Sequence, residues 1–100
     1  MIIRMFDTAI NPDDVDRAKQ LFREQVRPAF EAFDGCDGID MFLGLGAHSG
    51  GFVDVAAISR WDSETHIRSA LESSAYETAM AEMKSLFEQN PIVRHFEAVD

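Results

Sequence analysis

The side chains able to do acid–base chemistry or hold a ligand are few, and several sit at one junction. The run from Val53 to Met80 reads V-D-V-A-A-I-S-R-W-D-S-E-T-H-I-R-S-A-L-E-S-S-A-Y-E-T-A-M. The single tryptophan, Trp61, ends an apolar strand, and Asp62 or Ser63 caps the helix that comes immediately after it. An indole buries about 200 Å² and offers one N–H donor, so Trp61 either orients a ligand oxygen or plugs the strand end. His66 falls in the first turn of that helix. An imidazole there accepts a proton from an acidic phenol if a pocket adjoins it, and is otherwise an exposed helix-start residue. Tyr76 lies further along, one position off the stripe of Ile67, Leu71 and Ala75, so it either lines a pocket or covers the core edge. Arg4 and Asp7 belong to the first strand, Arg94 and His95 to the last. An arginine on an inner face is costly unless it meets a carboxylate or a substrate anion, and Asp7 is the natural partner of Arg4.

Other chemistries find little support. His48, His66 and His95 fall on separate elements without the one-face spacing of a metal helix, so no metal site is expected. His48 belongs to a glycine-rich loop and is expected to be solvated. That loop, Gly44 to Gly51, leads into neither a helix start nor a lysine, which argues against a phosphate cradle. The lone Cys36 has no partner for an intrachain disulfide and reads as a partly buried small residue near a turn. A net charge of −9 argues against a nucleic-acid surface. No stretch approaches the roughly 18 apolar residues of a membrane span, and the N-terminus lacks the pattern of a secretory signal. A cytoplasmic location is the expectation.

The elements that must position these groups are set by periodicity. One hundred residues, 46% hydrophobic and 27% charged, suit a single folded domain spanning 1–100. Ile2 to Ile10 alternates as a strand, with Ile2, Phe6 and Ile10 on one side and Ile3, Met5 and Ala9 on the other. Asn11-Pro12-Asp13-Asp14 starts a helix whose stripe is Val15, Ala18, Phe22, Val26, Ala29/Phe30 and Phe33. Pro28 lies off that stripe and predicts a kink, and Asp34-Gly35 ends the helix. Ile39, Met41, Leu43 and Leu45 alternate along a second strand, and Phe52 to Trp61 forms a third. Ser63 to about Gln89 is predicted helical with the stripe Ile67, Leu71, Ala75, Ala79, Met83 and Leu86/Phe87, and Ser73-Ser74 is a candidate break. Asn90-Pro91 ends it, and Ile92 to Val99 alternates as a fourth strand.

The order β-α-β-β-α-β, with right-handed crossovers, places both helices on one face of a four-stranded antiparallel sheet, the ferredoxin-like arrangement of the α+β class. Large apolar groups, including Ile3, Met5, Phe42, Phe52, Ile58, Val93 and Val99, are then left for the opposite face. Several hundred Å² of bare apolar surface is more than a soluble monomer usually carries. Sheet-against-sheet packing of two copies is the simplest cover, so a homodimer is expected.

With that order and the R-W-D-S-E-x-H-I…S-S-A-Y pattern, the chain resembles the dimeric α/β-barrel superfamily, and within it the antibiotic-biosynthesis-monooxygenase-like domains. Trp61, Ser63, His66, Ser74 and Tyr76 carry the resemblance. It implies a sheet-on-sheet dimer and a pocket in each subunit between sheet and helices. It further implies cofactor-independent oxygenation of a small phenol- or quinol-type aromatic, with Trp61, Phe22 and Met80 binding the substrate and His66 or Tyr76 handling the proton. The alternative is a non-catalytic small-molecule-binding or interaction dimer. Departures from the family favour neither haem degradation nor an intact anthrone-oxygenase site. Met80 stands where the haem-degrading branch has its axial histidine, and Ala70 where it has a helical tryptophan. Ala57 and Ile67 stand where the anthrone-type oxygenases carry an asparagine and a tyrosine.

Overall fold

In the structure, a computed structural model, residues 1–46 and 50–100 are described in full, together with the backbone of Ser49; the expectation for His48 lies outside the described residues. The chain runs β1 (Ile2–Ile10), a 3-10 turn (Pro12–Asp14), α1 (Val15–Leu21), a π-helical turn (Phe22–Val26), α2 (Arg27–Ala32) and β2 (Cys36–Leu43). After a short 3-10 turn (Ser49–Gly51) come β3 (Val53–Trp61), α3 (Glu64–Leu71), α4 (Ser74–Lys84) and β4 (Ile92–Glu97). The four strands form one open antiparallel sheet in the order β2-β3-β1-β4. This is the expected ferredoxin-like fold.

Asn11 begins the first helical run as expected, its side chain accepting from the Asp13 N–H, with Pro12 next. Pro28 acts differently from a simple kink. It has no N–H to give, and its ring crowds the carbonyl one turn back. The helix meets this by widening before the proline, so that the Arg27 N–H bonds to the Phe22 carbonyl. A π turn of this kind shifts the phase of the helix beyond it, and Phe22, Val26 and Phe30 are all buried.

The second run breaks at the candidate position, Ser73-Ser74. It is two helices, because Ser73 both closes one and opens the next. Its Oγ donates to the Ala70 carbonyl at 2.6 Å and accepts the Tyr76 N–H at 3.2 Å. The break re-phases the buried stripe to Tyr76, Ala79, Met80 and Met83, and leaves Ala75 exposed. α4 ends at Lys84 rather than near Gln89, and β4 ends at Glu97 rather than Val99.

The core lies between the sheet and the helices. Ile10, Ile39, Val55 and Trp61 from the strands meet Leu21, Phe22, Val26, Phe30, Ile67 and Met83. On the other face the register aligns Ile58 with Met5 and Asp40, and Ile3 with Phe96. Phe42, Ile92 and Phe96 there are 51%, 56% and 45% exposed. Arg60 pairs with Asp40 at 3.0 Å at one edge of that face. Val93 is not part of it: it stands opposite Phe6 and so projects to the helix side. Val99 and Leu45 lie beyond their strands, almost fully exposed.

Candidate functional site

A cavity lies between the inner face of the sheet and the helices. β1 contributes Arg4, Phe6, Thr8 and Ile10, and α4 contributes Tyr76, Met80 and Met83. Phe22, Val26 and Phe30 close it from the first helical run, and Ala57 floors it. About 40 Å³ is clear of side chains, within some 510 Å³ of empty space that includes the part open to solvent. Its wall is almost wholly apolar.

Among the described residues, three that line it carry polar side chains, and the Thr8 hydroxyl is already engaged. The Thr8 hydroxyl donates to the Gln89 carbonyl at 2.8 Å, tying β1 to the segment after α4. Tyr76 is buried against Phe30, ring centroids 6.1 Å apart, with the Lys84 ammonium 5.5 Å over its ring. Arg4 is 5% exposed, and its Nε–H has no acceptor among the described residues. Its guanidinium carbon sits 5.5 Å from the Phe6 ring centroid. Burial lowers the Arg4 pKa from the usual arginine value, and the neighbouring Tyr76 hydroxyl opposes that shift by charge and hydrogen bonding. An arginine keeps its proton in such surroundings, so the cavity contains a cation.

The expected Arg4–Asp7 pair does not form. Side chains alternate along a strand, so Arg4 faces the cavity while Asp7 faces outward beside Ala56 and Ile92. Among the described residues, no carboxylate lies within ion-pair distance of Arg4.

The structure divides the residues singled out in the sequence. Phe22, Tyr76 and Met80 line the cavity together; Trp61 and His66 are not part of its wall. Trp61 is completely buried, its Nε1 donating to the Ser59 hydroxyl at 2.8 Å. Phe30 meets it edge-on and Phe33 stacks on it, with centroids 6.0 and 6.3 Å away. Both the ring and its N–H are satisfied within the protein, so Trp61 plugs the end of β3. His66 is fastened to the cap of α3: Ser63 Oγ lies 2.8 Å from Nδ1 and accepts the His66 backbone N–H at 3.2 Å. Its ring covers Gly35, where an added Cβ would stand 2.3 Å from His66 Cγ. The Gly35 carbonyl in turn accepts the Asp62 N–H at 2.8 Å. Sequence reasoning left Arg4 out of the site by pairing it with Asp7, although the parity of the two positions already separated them. Among the described residues, no group of three or more His, Cys, Asp or Glu side chains is placed to hold a metal ion, and no helix is long and apolar enough to cross a membrane.

No family model matches the sequence, and no curated protein matches it. Solved structures do match its fold. An antibiotic biosynthesis monooxygenase crystal structure superposes with a TM-score of 0.74 over 100% of both chains at 17% identity. A Bordetella bronchiseptica protein provisionally given the same name reaches 0.80, covering 98% of this chain and 96% of that one at 16% identity. A dimeric ferredoxin-like protein of unknown function from Thermobifida fusca reaches 0.71, covering 98% and 92% at 19% identity. The chain therefore has the ferredoxin-like fold of these solved structures, with its own sheet left open.

Proposed function

We propose that the protein is a monooxygenase-like enzyme that acts on a small phenol- or quinol-type aromatic in the cavity beneath its sheet. The observation that carries this reading is an almost wholly apolar wall on which only Tyr76 and Arg4 remain to meet a ligand's polar atoms. Pockets of this composition bind through apolar contact and orient through a few polar groups. Phe22 and Met80 supply the contact, and Tyr76 exchanges the proton with the reacting ring.

The chemistry needs no external reductant. An anthrone-type CH₂ group loses a proton to give a carbanion delocalised onto its oxygen. That carbanion gives electrons to dioxygen and forms a C–O bond. Loss of water from the resulting hydroperoxide leaves C=O, so that one oxygen atom enters the product and the other leaves as water. The carbon is oxidised and the dioxygen reduced by the same number of electrons. The protein's part is to exclude water and to hold the anion among fixed dipoles.

The working unit we propose is a homodimer joined through the outer sheet face. Ile3, Met5, Phe42, Ile58, Ile92 and Phe96 form an apolar surface there, and the similar Thermobifida fusca protein is described as dimeric. At about 25 cal/mol per Å², covering several hundred Å² offsets much of the cost of association.

Oxygen uptake with a panel of anthrones and quinols tests the activity. The expected result is turnover that falls roughly 100-fold in Tyr76→Phe, the scale of a lost proton-transfer group. No uptake above a protein-free control across the panel would contradict catalysis and leave a small-molecule-binding dimer.

A further inference from the structure

Arg4 has a property that an apolar substrate pocket does not require. A charged guanidinium, 5% exposed, lines a cavity whose other walls are nearly all hydrocarbon. Among the described residues its Nε–H is directed to no acceptor, and Asp7, the one acid on its own strand, points through the sheet to the other face. Placing a cation in such a site is costly, and leaving part of it without a hydrogen bond adds to the cost. Packing alone would be served as well by methionine or leucine, since apolar replacements of buried ionic groups are often neutral or stabilising. The neighbouring Tyr76 hydroxyl brings no carboxylate to the guanidinium. What is missing is an anion, and Arg4 lines the cavity that a ligand would enter.

We propose that Arg4 is an anion-recognition residue and that the ligand is a planar aromatic acid. Its carboxylate, or the oxygen of an already ionised phenol, bonds to the Arg4 guanidinium, while its ring lies against Phe22 and Met80. A guanidinium suits this partner because its planar fork donates two parallel hydrogen bonds to a carboxylate. The Phe6 ring beside the guanidinium and the apolar cavity wall exclude water and strengthen the pairing. This selection for charge rests on the reading of the cavity as a site for a small aromatic, and it narrows that class to members ionised before they bind.

Benzoate and benzyl alcohol form a matched pair for the test, with the same ring and a different charge. Titration of the intact protein with each is expected to give benzoate the tighter binding by about ten-fold or more, as a charge-assisted pair implies. In Arg4→Met, benzoate affinity is expected to fall by at least about ten-fold while that for benzyl alcohol stays within about two-fold. Arg4→Lys, which keeps the charge but loses the fork, is expected to fall between. In the wild-type protein the Arg4 Nε–Hε NMR resonance is expected to move as benzoate saturates, a readout independent of how any variant folds. Equal binding of the two probes, unaltered in Arg4→Met, or an Nε–Hε resonance that stays put at saturation, would overturn the anion site and leave the aromatic cavity standing. Binding of neither probe would overturn both.

Discussion

Phe30 separates two regions that look alike in composition and differ in what their polar groups still lack. On one side, the Trp61 indole and His66 Nδ1 are already engaged: Ser59 takes the indole N–H, Ser63 meets the imidazole, and Phe30 and Phe33 fill the space around the indole. On the other, Tyr76 and Arg4 face an unfilled volume, and the Arg4 Nε–H has no acceptor. Both regions offer aromatic surface and hydrogen-bonding groups. Among the described residues, only the second leaves a buried side-chain N–H without an acceptor, and that, more than residue type, marks where a ligand belongs.

The largest expected effect comes from breaking the filled side. Trp61→Ala empties a fully packed site and is expected to cost about 3–5 kcal/mol of stability, read by denaturant unfolding. Tyr76→Phe keeps the ring and removes one hydroxyl, so it is expected to cost only about 1–2 kcal/mol, the scale of one lost polar group. It should nevertheless remove most of the activity. Equal stability losses in the two variants would dissolve the distinction between plug and site.

A smaller effect sharpens the same contrast at the His66 end. Gly35 has φ +76° and lies under the His66 ring. Gly35→Ala combines an unfavourable backbone conformation with a steric overlap, for an expected loss of about 1–3 kcal/mol. Adding His66→Ala is expected to return part of that loss without restoring or impairing benzoate binding. If His66→Ala alone weakened benzoate binding about ten-fold, the histidine would belong to the site after all.

Much of the fold was legible because the strands alternate plainly and the helices carry clear stripes and caps. Ile2 to Ile10 and Phe52 to Trp61 needed no tertiary information to be read, and two-sided apolar strands pointed to an outer face in want of cover. Two local devices defeated simple periodicity. The π turn before Pro28 is an answer to a missing N–H that no hydrophobic period encodes. Ser73 is a cap in both directions, and counting a single helix through it assigned Ala75 to the buried stripe that Tyr76 and Met80 occupy. The site was legible only in part. Residue types drew attention to Trp61, but whether an indole N–H is free or already bonded depends on Ser59 and on rings distant in sequence. Arg4 was legible in principle: an arginine at an even position among Phe6, Thr8 and Ile10 shares their face, and Asp7 does not.

The most direct measurement is intermolecular NOE spectroscopy between bound benzoate and the protein's aromatic and methyl groups. The account predicts contacts to Tyr76, Phe22 and the Met80 methyl, with none to the Trp61 indole or the His66 ring. Contacts confined to Trp61 and His66, or to Phe42 and Ile58 on the outer face, would contradict it.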